Sequence, residues 1–150
     1  MAQTLVSLLV HIIFSTKNRA NLITPAIEPE LYKYISGTLR NMESPCLKIG
    51  GTANHLHLLV SQSKNIALAF LLEELKKSSS KWIKHQDASF RSFKWQEGYG
   101  AFTIGQSNVA ALKRYIELQK NHHRRRSFEE ELLGLLKKYG VEYDEQYIWR

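Results

Sequence analysis

Residues 46–61, CLKIGGTANHLHLLVS, constrain the architecture of the chain more than any other segment. The runs Cys46–Ile49 and Asn54–Ser61 are apolar and flank a Gly-Gly pair, a pattern typical of two strands joined by a hairpin-like turn. In the second run His55 and His57 are separated by one residue, so a strand directs both imidazoles to the same face. The segment therefore predicts a strand pair that carries two histidines side by side.

The segments on both sides continue an alternation of strands and helices. In chain order the sequence predicts a strand over 5–15, a helix over 30–42, the strand pair, a helix over 66–86, strand segments at 93–95 and 99–104, and helices over 108–121 and 128–139. This order matches the split βαβ, ferredoxin-like (RRM-like) pattern, an α+β fold with helices on one face of an antiparallel sheet. The histidine strand is then central, and the other face of the sheet is free for a ligand.

The composition is that of a basic globular protein. Of the 150 residues, 43% are hydrophobic and 23% are charged, which predicts one domain over residues 1–150 with a buried core. The net charge of +7 favours a polyanionic partner, because phosphate contacts release counterions. The single cysteine, Cys46, excludes an internal disulfide and fits a reduced, cytoplasmic setting. The apolar run at 5–14 is too short for a membrane span and lacks the basic flank of a signal peptide.

The histidine pair is a candidate metal site. Two imidazoles on one strand face can offer nitrogens to a single divalent ion, and they suit Mn²⁺ better than Mg²⁺, which prefers oxygen ligands. Two half-buried structural histidines would show the same spacing, so His55 and His57 alone leave both interpretations open.

A second candidate group lies on the predicted helix over 108–121. Tyr115 and Gln119 are four residues apart and share one helical face, at the border between the apolar stripe and solvent. A tyrosine hydroxyl is a weak nucleophile at neutral pH, and a metal on the scissile phosphate would make that phosphate a stronger electrophile. An ordinary amphipathic tyrosine with a solvated glutamine is the alternative at these two positions.

Basic residues near these groups are candidate DNA contacts. The predicted helix over 66–86 mixes lysines, hydroxyls and a tryptophan, as backbone tracking and base stacking require. The candidates are Lys76, Lys77, Lys81, Trp82, Lys113, Arg114 and the cluster Arg124, Arg125 and Arg126. For the first four the alternative is a solvated helix face with a core tryptophan, and a charge run is commonly just solvated.

Four segments give the chain a specific resemblance. They are VHIIFSTK at 10–17, GGTANHLHLLV at 50–60, WQEGYGAF at 95–102 and VAALKRYIELQKNHH at 109–123. Together they resemble the single-tyrosine HUH transposases of the insertion sequence 200/605 type, and the resemblance covers nearly the whole chain.

The resemblance implies a metal-dependent DNA strand transferase. In that family two histidines and a glutamine four residues after the tyrosine bind Mg²⁺ or Mn²⁺, which implies His55, His57 and Gln119 here. The tyrosine, here Tyr115, attacks a phosphodiester of single-stranded DNA. A 5′-phosphotyrosine link and a free 3′-OH result, so the strands can be rejoined without ATP.

The resemblance also implies how the protein assembles and what it binds. The substrates are DNA hairpins near the ends of the mobile element. The family works as homodimers, with Tyr115 of one subunit expected to serve the histidines of the other. Because the histidines must be neutral to bind a metal, we expect activity to fall below about pH 6, near the ordinary imidazole pKa.

Other classes of function remain open from the residues. A domesticated relative that acts on genomic hairpin repeats would share the chemistry. A non-catalytic nucleic-acid-binding ferredoxin-like module would explain the charge and the aromatic residues, but it would need neither the histidine pair nor Gln119. A different His-x-His phosphoesterase would explain a metal but not Tyr115, and Leu59 at the third alternating position argues against a histidine-triad hydrolase.

Overall fold

Residues 2–123 and 125–149, which the computed structural model describes, form one antiparallel sheet and five α-helices. The strands are β1 (Leu9–Ser15), β2 (Cys46–Gly51), β3 (His55–Ser61) and β4 (Gly100–Thr103). The helices are α1 (Glu28–Asn41), α2 (Leu68–Lys84), α3 (Val109–Glu117), α4 (Gln119–His122) and α5 (Phe128–Lys138). None of these helices is long and apolar enough to span a membrane. The strand order β2-β3-β1-β4, with every neighbouring pair antiparallel, confirms the predicted ferredoxin-like α+β class.

The two faces of the sheet pack against different helices. Alternate residues of β1 and β3, among them Ile12 and Leu58, join α1 and α2 in the main core. On the other face Leu59 packs with Ile116 of α3, and Ile13 packs with the apolar residues of α5. The prediction of helices on one face therefore holds for α1 and α2, whereas the face expected to be free is covered by α3 and α5. These two helices are amphipathic, so their apolar stripes need a surface against which to be buried.

The structure corrects the turn between β2 and β3. The Gly-Gly pair at 50–51 belongs to β2, and the turn spans residues 52–54. A Cβ atom on Gly50 would lie 2.5 Å from the carbonyl oxygen of Ile116, because α3 passes directly over this strand. The glycine is thus needed for close packing rather than for a turn.

Two other predicted strands are shorter than expected. β1 begins at Leu9 rather than at residue 5, and residues 5–8 are exposed. The segment at 93–95 forms an isolated bridge, in which Trp95 pairs with Thr16, and the strand that follows is β4.

The helix predicted over 108–121 is divided in two. α3 ends at Glu117 and α4 begins at Gln119, with Leu118 between them at φ −93° and ψ 16°. The segment contains no glycine or proline, the residues that commonly mark such a break, so the sequence offered no signal for it. Gln119, at the start of α4, is almost completely buried.

A candidate metal centre beside a tyrosine

β3 places two imidazoles on the sheet face that α3 and α5 cover. His55 and His57 are fully buried, and their ring centroids are 5.2 Å apart. Leu56, between them in sequence, packs into the core on the opposite face. The strand alternation thus brings the two rings together, as the spacing predicted.

Helix α5 supplies a carboxylate to the same place. Glu131 is fully buried, and its Oε1 atom lies 2.9 Å from His57 Nε2 and 3.4 Å from His55 Nε2. His123 Nε2 lies 3.1 Å from the same oxygen. His55, His57 and Glu131 could hold a metal ion, because one ligand atom of each lies within 4.8 Å of the other two.

Glu131 was not predicted, although the sequence holds a signal for it. It lies three residues after Phe128 and four before Leu135, so it falls on the apolar stripe of α5. Its neighbour Glu130 is exposed and belongs to the N-terminal cap of the helix. A carboxylate on a buried helical face requires a partner, because an unpaired buried charge is costly.

Gln119 also reaches the centre. Its Oε1 atom lies 3.1 Å from His55 Nε2, and its Nε2 atom donates to Glu131 Oε2 at 3.1 Å. The amide oxygen is thus directed toward the imidazole and the amide nitrogen toward the carboxylate. The centre therefore has a fourth possible donor atom beside the three described above.

Tyr115 of the same chain stands next to the centre. Its hydroxyl donates a hydrogen bond to Glu131 Oε2, and its ring is edge-on to His57 with centroids 5.7 Å apart. His122 stacks on the Tyr115 ring with centroids 4.8 Å apart, and Arg126 donates to the hydroxyl at 3.4 Å. One chain therefore brings together the hydroxyl and the possible metal ligands.

Hydrogen bonds at the far ring nitrogens orient both imidazoles. His57 Nδ1 lies 2.8 Å from Nε2 of the buried His11 on β1. His55 Nδ1 lies 2.8 Å from Asn54 Oδ1 and 2.9 Å from Thr52 Oγ1. Each of these partners can accept a hydrogen bond from Nδ1–H, and in that tautomer the Nε2 lone pair is available to bind an ion.

Burial determines the charges in the centre. It lowers the pKa of His57 to about 4 and, with His57 contributing, that of His11 to about 3. Burial by itself would raise the pKa of the Glu131 carboxyl, but hydrogen bonds from His123, His55 and His57 outweigh it and hold that pKa well below its usual range. At neutral pH a carboxylate therefore lies beside the neutral rings of His57 and His11, an arrangement that suits a bound cation.

The Tyr115 hydroxyl is protonated at neutral pH. Burial raises its pKa above the ordinary value of 10.0, and the hydrogen bond to Glu131 raises it further, against smaller opposing effects of Gln119 and Arg126. A protonated phenol is a weak nucleophile, so a base must take its proton during any attack. Glu131 already accepts that hydrogen bond.

The predicted DNA contacts on α2 lie away from the centre. This helix packs on the sheet face opposite the two imidazoles. Lys76 donates to two loop carbonyl oxygens, and burial lowers its pKa to about 8. Lys77 and Lys81 are exposed, and Trp82 stacks on Tyr34 with ring centroids 5.6 Å apart. The structure does not bring these four candidates together with the centre.

A second group of predicted contacts lies beside Tyr115. Lys113 and Arg114 precede it on α3, and both are exposed. Arg124 lies outside the described residues, while the other two arginines of its cluster are exposed and line a basic recess with His122. Positive charge thus surrounds the hydroxyl on the solvent side.

The chain is similar to a protein family and to several solved structures. A sequence profile of the family described as IS200-like transposase matches residues 4–119. The crystal structure of a proposed transposase from Deinococcus radiodurans R1 is similar over 79% of this chain and 95% of its own, at a TM-score of 0.63 and 17% identity. The structure of a REP-associated tyrosine transposase bound to a REP hairpin is similar over 82% of this chain and 73% of its own, at a TM-score of 0.61 and 13% identity. No curated protein matches the chain.

Proposed function

This chain belongs to the IS200-like transposase family, and from that membership we propose that it cleaves and rejoins single-stranded DNA with Tyr115 as the nucleophile. Membership makes the protein a DNA-binding transposase that acts in DNA recombination. One observation carries the proposal for the site: the Tyr115 hydroxyl donates a hydrogen bond to Glu131, and this carboxylate also contacts both His55 and His57.

We propose that the centre holds Mg²⁺ or Mn²⁺ through His55 Nε2, His57 Nε2, Glu131 Oε1 and Gln119 Oε1. The donor set supports this, because two hard oxygen donors complement two imidazoles. The charge supports it as well: among the described residues, the ion-pair partners of the buried Glu131 are all imidazoles. An ion bound there would polarise a phosphoryl oxygen and orient the phosphate.

The residues of the chain account for the bonds made and the protons moved. The Tyr115 oxygen forms a bond to phosphorus, and the bond from phosphorus to the 3′-oxygen breaks. The phenolic proton passes to Glu131 Oε2, which already accepts it as a hydrogen bond, and the departing oxygen takes a proton from solvent to become a free 3′-OH. Arg126, 3.4 Å from the hydroxyl, offers positive charge to the phosphate. Rejoining is the reverse reaction.

We propose that Tyr115 serves the histidines of its own chain. The resemblance implied a tyrosine from a partner subunit, but the intrachain contacts of Tyr115 with Glu131 and His57 support attack within one chain. The homodimer stays a prediction.

The proposed substrates are single-stranded DNA hairpins at the ends of an element. The hairpin-bound relative supports this choice, and so do the net charge of +7 and the exposed Lys113 and Arg114. The α2 residues remain predicted contacts for a more distant part of the DNA. The same relative keeps a second candidate open, a domesticated enzyme acting on genomic hairpin repeats. A purely non-catalytic module would have no use for a buried centre beside a tyrosine.

We also propose that residues 1–150 act as a single domain. The family profile ends at Gln119, yet α5 lies beyond it and supplies Glu131 to the centre. A cytoplasmic location stays a prediction from Cys46.

The test is a covalent adduct with DNA. Single-stranded oligonucleotides that carry hairpins from the DNA flanking the coding region are labelled at the 3′ end, incubated with the protein and Mn²⁺, and denatured. We expect labelled protein, because a 5′-phosphotyrosine retains the 3′ fragment, and we expect the adduct to vanish with a chelator and with Tyr115→Phe. Tyr99→Phe, at an exposed tyrosine, is the matched control and should retain the adduct. An adduct that survives Tyr115→Phe would refute the assigned nucleophile.

A further inference from the structure

A cleft of about 530 Å³ lies between α3 and α5, next to the proposed nucleophile. One side is a single face of the α3 region, with Asn108, Leu112 and Tyr115 at helical spacing. Leu135 and Lys138 of α5 form the other side. The volume is in the range of about 300–1,000 Å³ that is typical of small-ligand sites.

The cleft and the metal centre share residues. Tyr115 lines the cleft and also contacts Glu131 of the centre. His11 lines the cleft as well, and its Nε2 atom lies 2.8 Å from His57 Nδ1. A phosphate within reach of the Tyr115 hydroxyl would therefore have one of its neighbouring nucleotides at the mouth of the cleft.

The walls of the cleft have a particular chemistry. Leu112 and Leu135 are half-buried apolar side chains on opposite sides. The side-chain amide of Asn108 is exposed to the cleft and has no hydrogen-bond partner among the described residues. Lys138 adds an exposed positive charge. Apolar walls suit the faces of a flat ring, an amide can bind the polar edge of a base, and an ammonium can pair with a phosphate.

We propose that this cleft binds one unstacked DNA base next to the phosphate that Tyr115 attacks, and that the Asn108 side-chain amide forms a hydrogen bond with the edge of that base. The inference rests on the proposed function, since it needs a DNA phosphate at the hydroxyl. It adds that the protein itself selects the nucleotide at the cleavage point.

The experiment measures adduct formation on substrates that lack single bases. The substrates are the 3′-labelled hairpin oligonucleotides described above, each with one abasic site at a position flanking the scissile phosphate. Ala111→Phe fills the cleft from an exposed position of α3. Ala110→Phe introduces the same side chain at the preceding exposed residue, which does not line the cleft, and is the matched control. Thermal unfolding confirms that both variants fold.

With wild type and Ala110→Phe, we expect one abasic position next to the scissile phosphate to lower the rate by about tenfold, as loss of one stacked base would. Adduct formation by Ala111→Phe should be slowed to a similar extent on the intact substrate. Its rate should show no further loss on the substrate with that abasic position. Asn108→Asp, which loses the amide donor, should change the preferred base at the same position.

The opposite results separate the two hypotheses. If wild type forms a Tyr115-dependent adduct but is indifferent to every abasic position, or if Ala111→Phe behaves like Ala110→Phe, the base-binding cleft is refuted while the proposed function stands. If wild type forms no adduct with any hairpin oligonucleotide, the proposed function fails, and the inference fails with it.

Discussion

Glu131 uses its two carboxylate oxygens for different neighbours. Oε1 faces the imidazoles, and Oε2 accepts hydrogen bonds from the Tyr115 hydroxyl and the Gln119 amide. A carboxylate can therefore contact an ion with one oxygen while it takes a proton with the other. Gln119 cannot replace it in the second role, because an amide is not a base at neutral pH.

Replacing Glu131 by glutamine should distinguish the contribution of the side-chain shape from that of its negative charge. Glu131→Gln keeps a side chain of similar size but removes the negative charge and the proton acceptor. We expect the rate of adduct formation to fall by about 10² or more, the usual contribution of a general base, together with weaker Mn²⁺ binding. Glu130→Gln, at the exposed neighbouring position, should be close to wild type in single-turnover assays. A Glu131→Gln protein as fast as wild type would remove the carboxylate from the mechanism.

Burial of the histidines also predicts how stability depends on pH. The pKa of His57 is lowered from 6.5 to about 4 and that of His11 from 6.5 to about 3, so the unfolded chain binds more protons between these values. In the metal-free protein the free energy of unfolding should therefore fall as pH falls from about 6.5 to about 4, by about 1.4 kcal/mol per pH unit for each histidine. Denaturant unfolding at a series of pH values measures this slope.

The control for this slope is the double variant His11→Gln, His57→Gln, which should show a flatter dependence over the same range. An equal slope in both proteins would mean that other groups cause it.

The expectation that activity falls below about pH 6 used the ordinary imidazole pKa. Since burial lowers the pKa of His57 to about 4, the part of the loss of activity that depends on this proposed ligand should begin at lower pH.

At the scale of elements, the contact of β2 with α3 positions Tyr115, the proposed nucleophile. A Cβ on Gly50 would lie 2.5 Å from the Ile116 carbonyl oxygen and 2.9 Å from the Ile116 Cγ2 atom. Ile116 directly follows Tyr115, so the spacing between strand and helix also sets the position of the hydroxyl. The α3 backbone would have to move to admit even one methyl group.

Gly50→Ala should therefore reduce both stability and activity. We expect a loss of about 1–3 kcal/mol in the free energy of unfolding, as in other overpacked sites, and slower adduct formation because Tyr115 is displaced. Gly37→Ala is the matched control. Gly37 lies within α1, and a Cβ atom added there would meet nothing within 4 Å, so alanine should stabilise the helix by about 0.5–1 kcal/mol. Unchanged activity in Gly50→Ala would show that the helix can shift without cost to the site.

At the scale of the whole molecule, one chain contains every group that the proposed reaction needs. The sheet separates α1 and α2 from the centre, and α3 and α5 close over the centre on the other face. This arrangement predicts that a monomer, or each subunit of a dimer, is active by itself.

Mixing two inactive variants tests this prediction. Tyr115→Phe lacks the proposed nucleophile, and His57→Ala lacks a proposed metal ligand. If each chain uses its own tyrosine, the mixture should form no adduct, because no chain has both groups. If subunits exchange tyrosines within a dimer, the mixture should recover about a quarter of wild-type activity, because half of the dimers are heterodimers and each of these has one complete site out of two. Recovery would overturn attack within one chain.

The linear pattern of the chain is sufficient to predict the fold class, the paired imidazoles of β3, and the shared neighbourhood of Tyr115 and Gln119. Such features follow from hydrophobic periodicity and from spacings of two or four residues, which are local properties. Glu131 could have been suspected from its place on the apolar stripe of α5. Its partners could not be inferred, because it meets His57 across 74 positions of sequence.

The other features of the fold and of the site depend on contacts between distant parts of the chain. The packing of α3 and α5 on the second sheet face, the break at Leu118 and the pairing of Tyr115 with Glu131 of its own chain all depend on which surfaces meet. Burial depends on them too, and it moves the pKa of His57 away from the value that an isolated histidine would have. A spacing along the chain shows which side chains share a face, whereas only the packed protein shows what that face contacts and how far water is excluded from it.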